Sequence, residues 1–426
     1  MQYTIKAPLT LQADITLPAS KSISNRALVI SALAARQGAP AANGDNLILP
    51  DNLSQCDDTD VMVAALHDMP DTIDIKAAGT AMRFMTAYLS VTPGTHVITG
   101  TERMQHRPIR ILVDALRSLG ADIEYVCEEG YPPLRITGKQ LTADSVTIDG
   151  NVSSQYISAL LMIGPVLQNG LTLSLRGDIV SRPYIDLTLN MMRDYGAEVE
   201  WSGVDTITVM PTSYRSRHYF VESDWSAASY WYQLMALYCD NDSDLRLHGL
   251  MRGSRQGDSR CEYIFSLLGV NTTYDTEEEL TPTTVTLSYK AEHLSRLDFD
   301  FTHQPDLAQT MIATCLAAGI QFHFRGLASL KIKETDRIEA MKAEMRRLGF
   351  VIYDYNDSEL RWDGERCQPE PDALVQTYDD HRMAMSIAPM SVILRDLRIN
   401  HPSVVSKSYP QFWEHLRSAG FIITEE

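Results

Sequence analysis

I-E-A-M-K-A-E-M-R-R-L-G, residues 338–349, followed at once by F-V-I-Y-D-Y at 350–355, sets the pattern of the whole chain. Ile338, Met341, Met345 and Leu348 recur at three- and four-residue spacing and form one apolar stripe of an amphipathic helix. Gly349 stands where such a helix stops, a position that favours left-handed backbone. Four other segments read the same way. R-I-L-V-D-A-L-R-S-L-G ends at Gly120 before A-D-I-E-Y-V, and Y-I-D-L-T-L-N-M-M-R-D-Y-G ends at Gly196 before A-E-V-E-W. C-E-Y-I-F-S-L-L-G ends at Gly269, and F-W-E-H-L-R-S-A-G ends at Gly420 before F-I-I-T. The glycines lie 76, 73, 80 and 71 residues apart, the mark of a repeat architecture.

A second pattern alternates with the first. A polar start leads into a helix that is apolar nearly all round, as in A-L-V-I-S-A-L-A-A (27–35), Q-Y-I-S-A-L-L-M-I (155–163) and Q-T-M-I-A-T-C-L-A-A (309–318). Helices of that kind are buried. The starts fall near Ser22, Thr80, Ser154, Ser226, Asp306 and Asp380, at gaps of 58, 74, 72, 80 and 74. Six units, each with a buried helix, an outer helix and several strands, group naturally as two α/β domains of three. Ordinary α/β layering also alternates helices and strands. A doubly wound dinucleotide fold is disfavoured, since no G-x-G-x-x-G joins the first strand and helix.

The openings of the buried helices carry unusual chemistry as a set: Lys21, Ser22 and Arg26; Gly79, Thr80 and Arg83; Ser153, Ser154 and Gln155; Asp224; Asp306; Asp380 and Arg382. Ser, Thr and Asp there would cap free N–H groups. With Lys and Arg beside them, helix N-termini facing one way would also form an anion site. Arg107 in R-M-Q-H-R-P-I-R, the Lys333–Glu334–Arg337 group in K-E-T-D-R, and Lys407 in S-V-V-S-K-S-Y-P add charge outside this pattern. Taken alone, K-E-T-D-R reads as a solvated helix start.

Composition limits the rest. With 426 residues, two or three domains are expected at about 100–200 residues each. The 44% hydrophobic and 22% charged content is that of a folded protein, not a disordered one. A net charge of −18 opposes nonspecific nucleic-acid binding but leaves room for small anions in a locally positive cleft. The N-terminus lacks a basic-then-apolar signal, and Ile157–Leu167 is too short to span a bilayer. Cys56, Cys127, Cys239, Cys261, Cys315 and Cys367 form no C-x-x-C pair, which points to reduced thiols in a cytoplasmic protein. The absence of coiled-coil heptads favours a monomer.

From S-K-S-I-S-N-R at 20–26 to Lys407, the sequence resembles the enolpyruvyl transferase family, and within it the 5-enolpyruvylshikimate-3-phosphate (EPSP) synthases. The motifs are G-T-A-M-R (79–83), R-P-I (107–109), S-S-Q (153–155), S-R-P-Y (181–184), K-E-T-D-R (333–337) and D-H-R-M-A-M (380–385). The resemblance implies two domains, each of three βαβαββ units with buried parallel helices in an inverse α/β-barrel-like array. The first would be 20–221 and the second 1–19 plus 222–426, with crossovers at Leu17-Pro18-Ala19 and Phe220-Val221-Glu222 and the active site in the cleft between them. It implies transfer of enolpyruvyl from phosphoenolpyruvate to the 5-hydroxyl of shikimate 3-phosphate, in the shikimate pathway to chorismate and aromatic amino acids. No metal or organic cofactor is implied.

By the same resemblance, Lys21, Ser22, Arg26, Ser153, Ser154, Gln155, Ser181, Tyr184, Asp306, Ser329 and Lys333 would bind shikimate 3-phosphate. Lys21, Gly79, Arg107, Gln155, Arg337, Arg382 and Lys407 would bind phosphoenolpyruvate. Asp306 resembles the base facing the 5-hydroxyl, Glu334 resembles the proton donor to the methylene, and Lys21 belongs with them as a catalytic residue. The chain departs from the common pattern at Ala77, where Asn is frequent, at Phe84, and at Ser329, where Asn is usual. A sister reaction on a UDP-sugar commonly uses a loop cysteine, and no cysteine lies between Cys56 and Cys127. A catalytically dead anion-binding homologue would be expected to lack Asp306, Glu334 or Lys21, and all three are present.

Overall fold

The computed structural model describes residues 1–37, 47–240, 242–290 and 293–426. The repeat is plainest around the opening sequence. Strand Arg296–Asp300 leads to helix Ala308–Ala318, strand Gln321–Arg325, helix Arg337–Arg347 and the strands Tyr353–Tyr355 and Glu359–Trp362. In space the sheet runs 296–300, 321–325, 359–362, 353–355: one parallel pair, then two antiparallel ones. The same order recurs in the sheet of Thr72–Asp74, Gly94–Thr99, Leu134–Gly138 and Asp122–Tyr125. It recurs again for Ser145–Asp149, Leu171–Arg176, Thr206–Val209 and Val199–Trp201. Sequence periodicity gives the helices, but this mixed order arises from a helical crossover between the parallel strands followed by a hairpin return.

The chain's first residues complete two other repeats. Strand Gln2–Lys6 lies between Leu397–Asn400 and Ile422–Glu425, antiparallel to both. Strand Gln12–Thr16 pairs in parallel with Asp244–Met251. The N-terminal segment therefore closes the last repeat and opens the fourth. The first repeat has its helices, Lys21–Gln37 and Asp57–Asp68, and a single parallel bridge from Asp51 to Phe220. Among the described residues it has no four-stranded sheet of its own.

The chain forms two compact units, Ala19–Val221 and Met1–Pro18 with Glu222–Glu426. Each buries its own helices. Ile23, Leu28, Met82, Phe84, Leu160 and Leu161 lie in the core of the first. Trp225, Trp231, Leu234, Met311, Ile312 and Met383 lie in the core of the second. The outer helices end as their sequence demands: Gly120, Gly196, Gly269, Gly349 and Gly420 all have φ between 89° and 102°. All six cysteines are free thiols. Among the described residues, no helix is long and apolar enough to cross a membrane.

Ile5 is fully buried in a strand paired on both sides. Ile5→Ala is expected to lower the unfolding free energy by about 2–5 kcal/mol through the cavity it leaves. Urea denaturation followed by tryptophan fluorescence measures this, and a loss below about 1 kcal/mol would show that the strand does not carry the sheet.

Candidate active site

The polar residues at the starts of the buried helices divide into caps and something else. Ser20 Oγ accepts from the Ile23 amide and Ser153 Oγ from the Gln155 amide, each at 3.4 Å. Asp224 accepts from the Ser226 amide and Asp380 from the Arg382 amide, each at 2.9 Å. These satisfy N–H groups that the helix leaves open. Thr80 and Asp306 do not cap. Thr80 Oγ1 accepts from Gln155 Nε2 at 3.0 Å, and Asp306 faces three cations.

In the Ala19–Val221 unit the sequence motifs converge through Arg26, which is buried. Its guanidinium donates to Thr188 Oγ1 (2.7 Å), the Ser22 carbonyl (2.9 Å) and Ser158 Oγ (3.2 Å), tying three helices together. Burial pulls its pKa down to about 10, against a smaller opposite effect of Tyr184. It stays charged at neutral pH. Gln155 links the Ser154–Ile163 helix to Thr80, and Tyr156 Oη donates to the Pro108 carbonyl at 2.7 Å, which anchors the R-P-I turn. Lys21 pairs with Asp58 at 3.0 Å.

Gly79 opens the helix Gly79–Ser90, and its missing side chain matters. A Cβ there would lie 2.7 Å from Arg107 Nη1 and 3.0 Å from Arg83 Nη1. Two guanidinium groups thus meet at one helix N-terminus, which itself favours anions. Ser181 is buried with φ of 53°, a left-handed conformation that costs a non-glycine residue energy. It starts the helix Arg182–Asp194 without capping it, and Tyr184 follows half-buried in the first turn.

The other unit gathers Asp306, Lys333, Glu334, Arg337 and Arg382. Arg337, whose side chain is 2% exposed, binds carboxylates from three segments: Asp380 at 2.7 Å, Glu334 at 2.9 Å and Asp306 at 3.2 Å. The solvated reading of K-E-T-D-R is thereby overturned, because the arginine points into the protein. Asp306 also meets Arg382 at 3.1 Å and Lys333 at 3.6 Å. Arg382 donates further to the Asp306 carbonyl at 3.0 Å and to Ser226 Oγ at 3.4 Å. Burial would raise the Asp306 pKa, but Arg382, Lys333 and Arg337 outweigh it and hold the carboxyl well below its usual range. Lys407 Nζ donates to the Asp379 carbonyl at 3.1 Å, and Ser329 lies half-buried in the turn Ala328–Ile332.

Electrostatically the two clusters differ. Three cations (Lys333, Arg337, Arg382) meet three carboxylates (Asp306, Glu334, Asp380), so this cluster is formally balanced. The acidic residues that the sequence places beside the basic ones neutralise them here, so this cluster carries no excess of positive charge. In the Ala19–Val221 unit, Arg26 instead rests on neutral oxygens.

Comparison with known proteins fits this arrangement. A family profile described as EPSP synthase (3-phosphoshikimate 1-carboxyvinyltransferase) matches residues 65–416. A protein of Bacteroides fragilis named 3-phosphoshikimate 1-carboxyvinyltransferase is 56% identical, over 99% of this chain and 98% of its own. The chain belongs to the EPSP synthase family. A relative of the same name from Colwellia psychrerythraea is 33% identical over 97% of this chain and 98% of its own. The solved EPSP synthase of Acinetobacter baumannii shares the fold, with a TM-score of 0.77, 21% identity and full coverage of both chains.

Within this EPSP synthase family chain, the sequence names Arg83 and Asp380 without their contacts and does not mark Asp58 at all. Arg83 follows Gly79 by four residues, one helical turn, so its approach to the same helix end was available from spacing. Asp380 starts a helix, as its place in D-H-R-M-A-M implies, and is also the innermost partner of Arg337. Asp58 sits in D-D-T-D, which reads only as an acidic helix start, and nothing local marks it as the partner of Lys21.

Two outcomes are expected from these contacts. Arg337→Met leaves Asp380 buried without its guanidinium and should cost about 3–5 kcal/mol of stability, measured by urea denaturation; a loss under about 1 kcal/mol would mean that the pairs are idle. Asp306 has a folded-state pKa below its unfolded value. Its stabilisation is therefore complete above about pH 4 and lost as pH falls below that range. Carboxyl carbon NMR should show no Asp306 titration between about pH 4 and 8, and a midpoint inside that window would contradict the ion pairing.

Proposed function

We propose that these two clusters are the two halves of one active site that carries out the family's reaction: enolpyruvyl transfer from phosphoenolpyruvate to the 5-hydroxyl of shikimate 3-phosphate, with release of phosphate. The observation that carries this is Arg337 holding Asp306 and Glu334 together, at 3.2 and 2.9 Å. The chemistry needs one carboxyl to give a proton and another to take one, close to cations that bind an anion. Both are found on one guanidinium.

The roles follow from the reacting atoms. Protonation of the phosphoenolpyruvate methylene makes the phosphate-bearing carbon electrophilic. The 5-hydroxyl oxygen attacks that carbon and gives up its proton, leaving a tetrahedral intermediate. The new methyl group then loses a proton as the C–O bond to phosphate breaks, which restores the double bond. Glu334 is assigned as the acid toward the methylene and Asp306 as the base toward the hydroxyl. Arg337, Arg382 and Lys407 hold phosphoenolpyruvate from one unit, and Lys21, Gly79, Arg107 and Gln155 from the other. Arg26, Ser22, Ser153, Ser154, Ser181 and Tyr184 receive shikimate 3-phosphate, with Lys333 and Ser329 reaching it from the second unit.

A free Asp306 held by three cations is a poor base. An entering phosphoenolpyruvate carboxylate competes for Arg337 and Arg382 and adds negative charge to a cluster that is balanced without it. Both effects favour proton uptake by the neighbouring carboxylates. Substrate binding thus prepares the acid and the base together. Six free thiols fit a reducing compartment, and a cytoplasmic monomer is proposed.

Phosphate release from phosphoenolpyruvate, with and without shikimate 3-phosphate, tests the reading. Release should require shikimate 3-phosphate and fall about 10²–10⁴-fold in Asp306→Ala and in Glu334→Gln. No release by folded wild-type protein, or release supported by a UDP-sugar alone, would overturn it.

A further inference from the structure

Glu344 is a buried carboxylate that the reaction above does not use. It lies on the helix Arg337–Arg347, two turns beyond Arg337, and its side chain is 0% exposed. One oxygen accepts from Tyr378 Oη at 2.7 Å, and the other accepts from the Gln376 amide at 3.0 Å. Arg347 Nη1 neutralises it at 2.8 Å and also donates to the Leu374 carbonyl at 3.1 Å. Asn400 Nδ2 donates to Gln376 Oε1 at 2.8 Å and holds the same segment from its other side. The helix that presents Arg337 thus grips the segment 374–378.

That segment needs gripping. Tyr378 and Asp379 both have φ of 53°, two consecutive non-glycine residues in left-handed backbone. The chain then turns at once into Asp380, which binds Arg337 and caps the Arg382 amide. The carbonyl of Asp379 is the acceptor for Lys407. The Asp379 carbonyl and the Asp380 carboxylate therefore meet Lys407 and Arg337 from a backbone shape that local preference opposes.

We propose that Glu344 and Tyr378 are positioning residues for the phosphoenolpyruvate side of the site: their hydrogen bond fixes the strained turn, and through it the Asp379 carbonyl, Lys407 and Arg382. This rests on the assignment of Lys407 and Arg382 to phosphoenolpyruvate. Neither Glu344 nor Tyr378 touches substrate in this role.

Tyr378→Phe keeps the ring and removes only the hydroxyl; Glu344→Gln keeps the shape and removes the charge. Two readouts are taken on the full-length protein. Amide hydrogen exchange at 376–380, which needs no turnover, should quicken in both variants while that of 337–347 holds. In steady-state phosphate release, KM for phosphoenolpyruvate should rise about three- to tenfold, with kcat and KM for shikimate 3-phosphate within about twofold. Unchanged exchange, equal rises in both KM values, or a fall in kcat alone would overturn the proposal. Failure of the unaltered protein to release phosphate would defeat the functional reading, while the exchange result would still decide whether the grip exists.

Discussion

The Arg337 guanidinium is the contact on which the site depends. It is almost wholly buried and draws carboxylates from the loop before its own helix, from the turn at Asp306 and from the start of the His381–Ile387 helix. A buried charge is costly unless it is paired and hydrogen-bonded. Here the pairing also fixes which segments can approach one another. The repeat architecture makes this possible: Arg337 opens an outer helix, whereas Asp306 and Asp380 mark the starts of two buried helices. One guanidinium therefore locks three helix starts in register.

Much of the fold could be read from the chain because its signals are local. A glycine after an amphipathic stripe reports a left-handed helix end, and the five outer helices singled out end that way. The sharing of the N-terminal segment between two sheets was not legible. Strands Gln2–Lys6 and Gln12–Thr16 are short, and their partners lie more than two hundred residues away. Nothing in a five-residue strand specifies a partner at that distance.

The site was legible in its charged residues and not in their states. Asp306 and Asp380 look alike in sequence, each beside a buried helix, yet Asp380 caps its helix while pairing with Arg337, whereas Asp306 caps nothing and faces three cations. K-E-T-D-R looks solvated until Asp306 and Asp380, at 31 and 43 residues' distance, close over Arg337. The family resemblance supplied these residues because motifs preserve chemistry that local patterning does not express. The electrostatic division between the units follows the helix openings, which carry Lys and Arg without acids in the first half and Asp in the second: Arg26, Arg83 and Arg107 lie in one unit, while a balanced cluster forms in the other.

The most direct measurement is a crystal structure with shikimate 3-phosphate and an unreactive phosphoenolpyruvate analogue. Arg337 and Arg382 should turn to the analogue's carboxylate, and Asp306 should lie within about 2.6–3.2 Å of the 5-hydroxyl. If Asp306 stays paired with Arg382 while the hydroxyl faces another group, it is not the base, and the charge exchange proposed for the cluster does not occur.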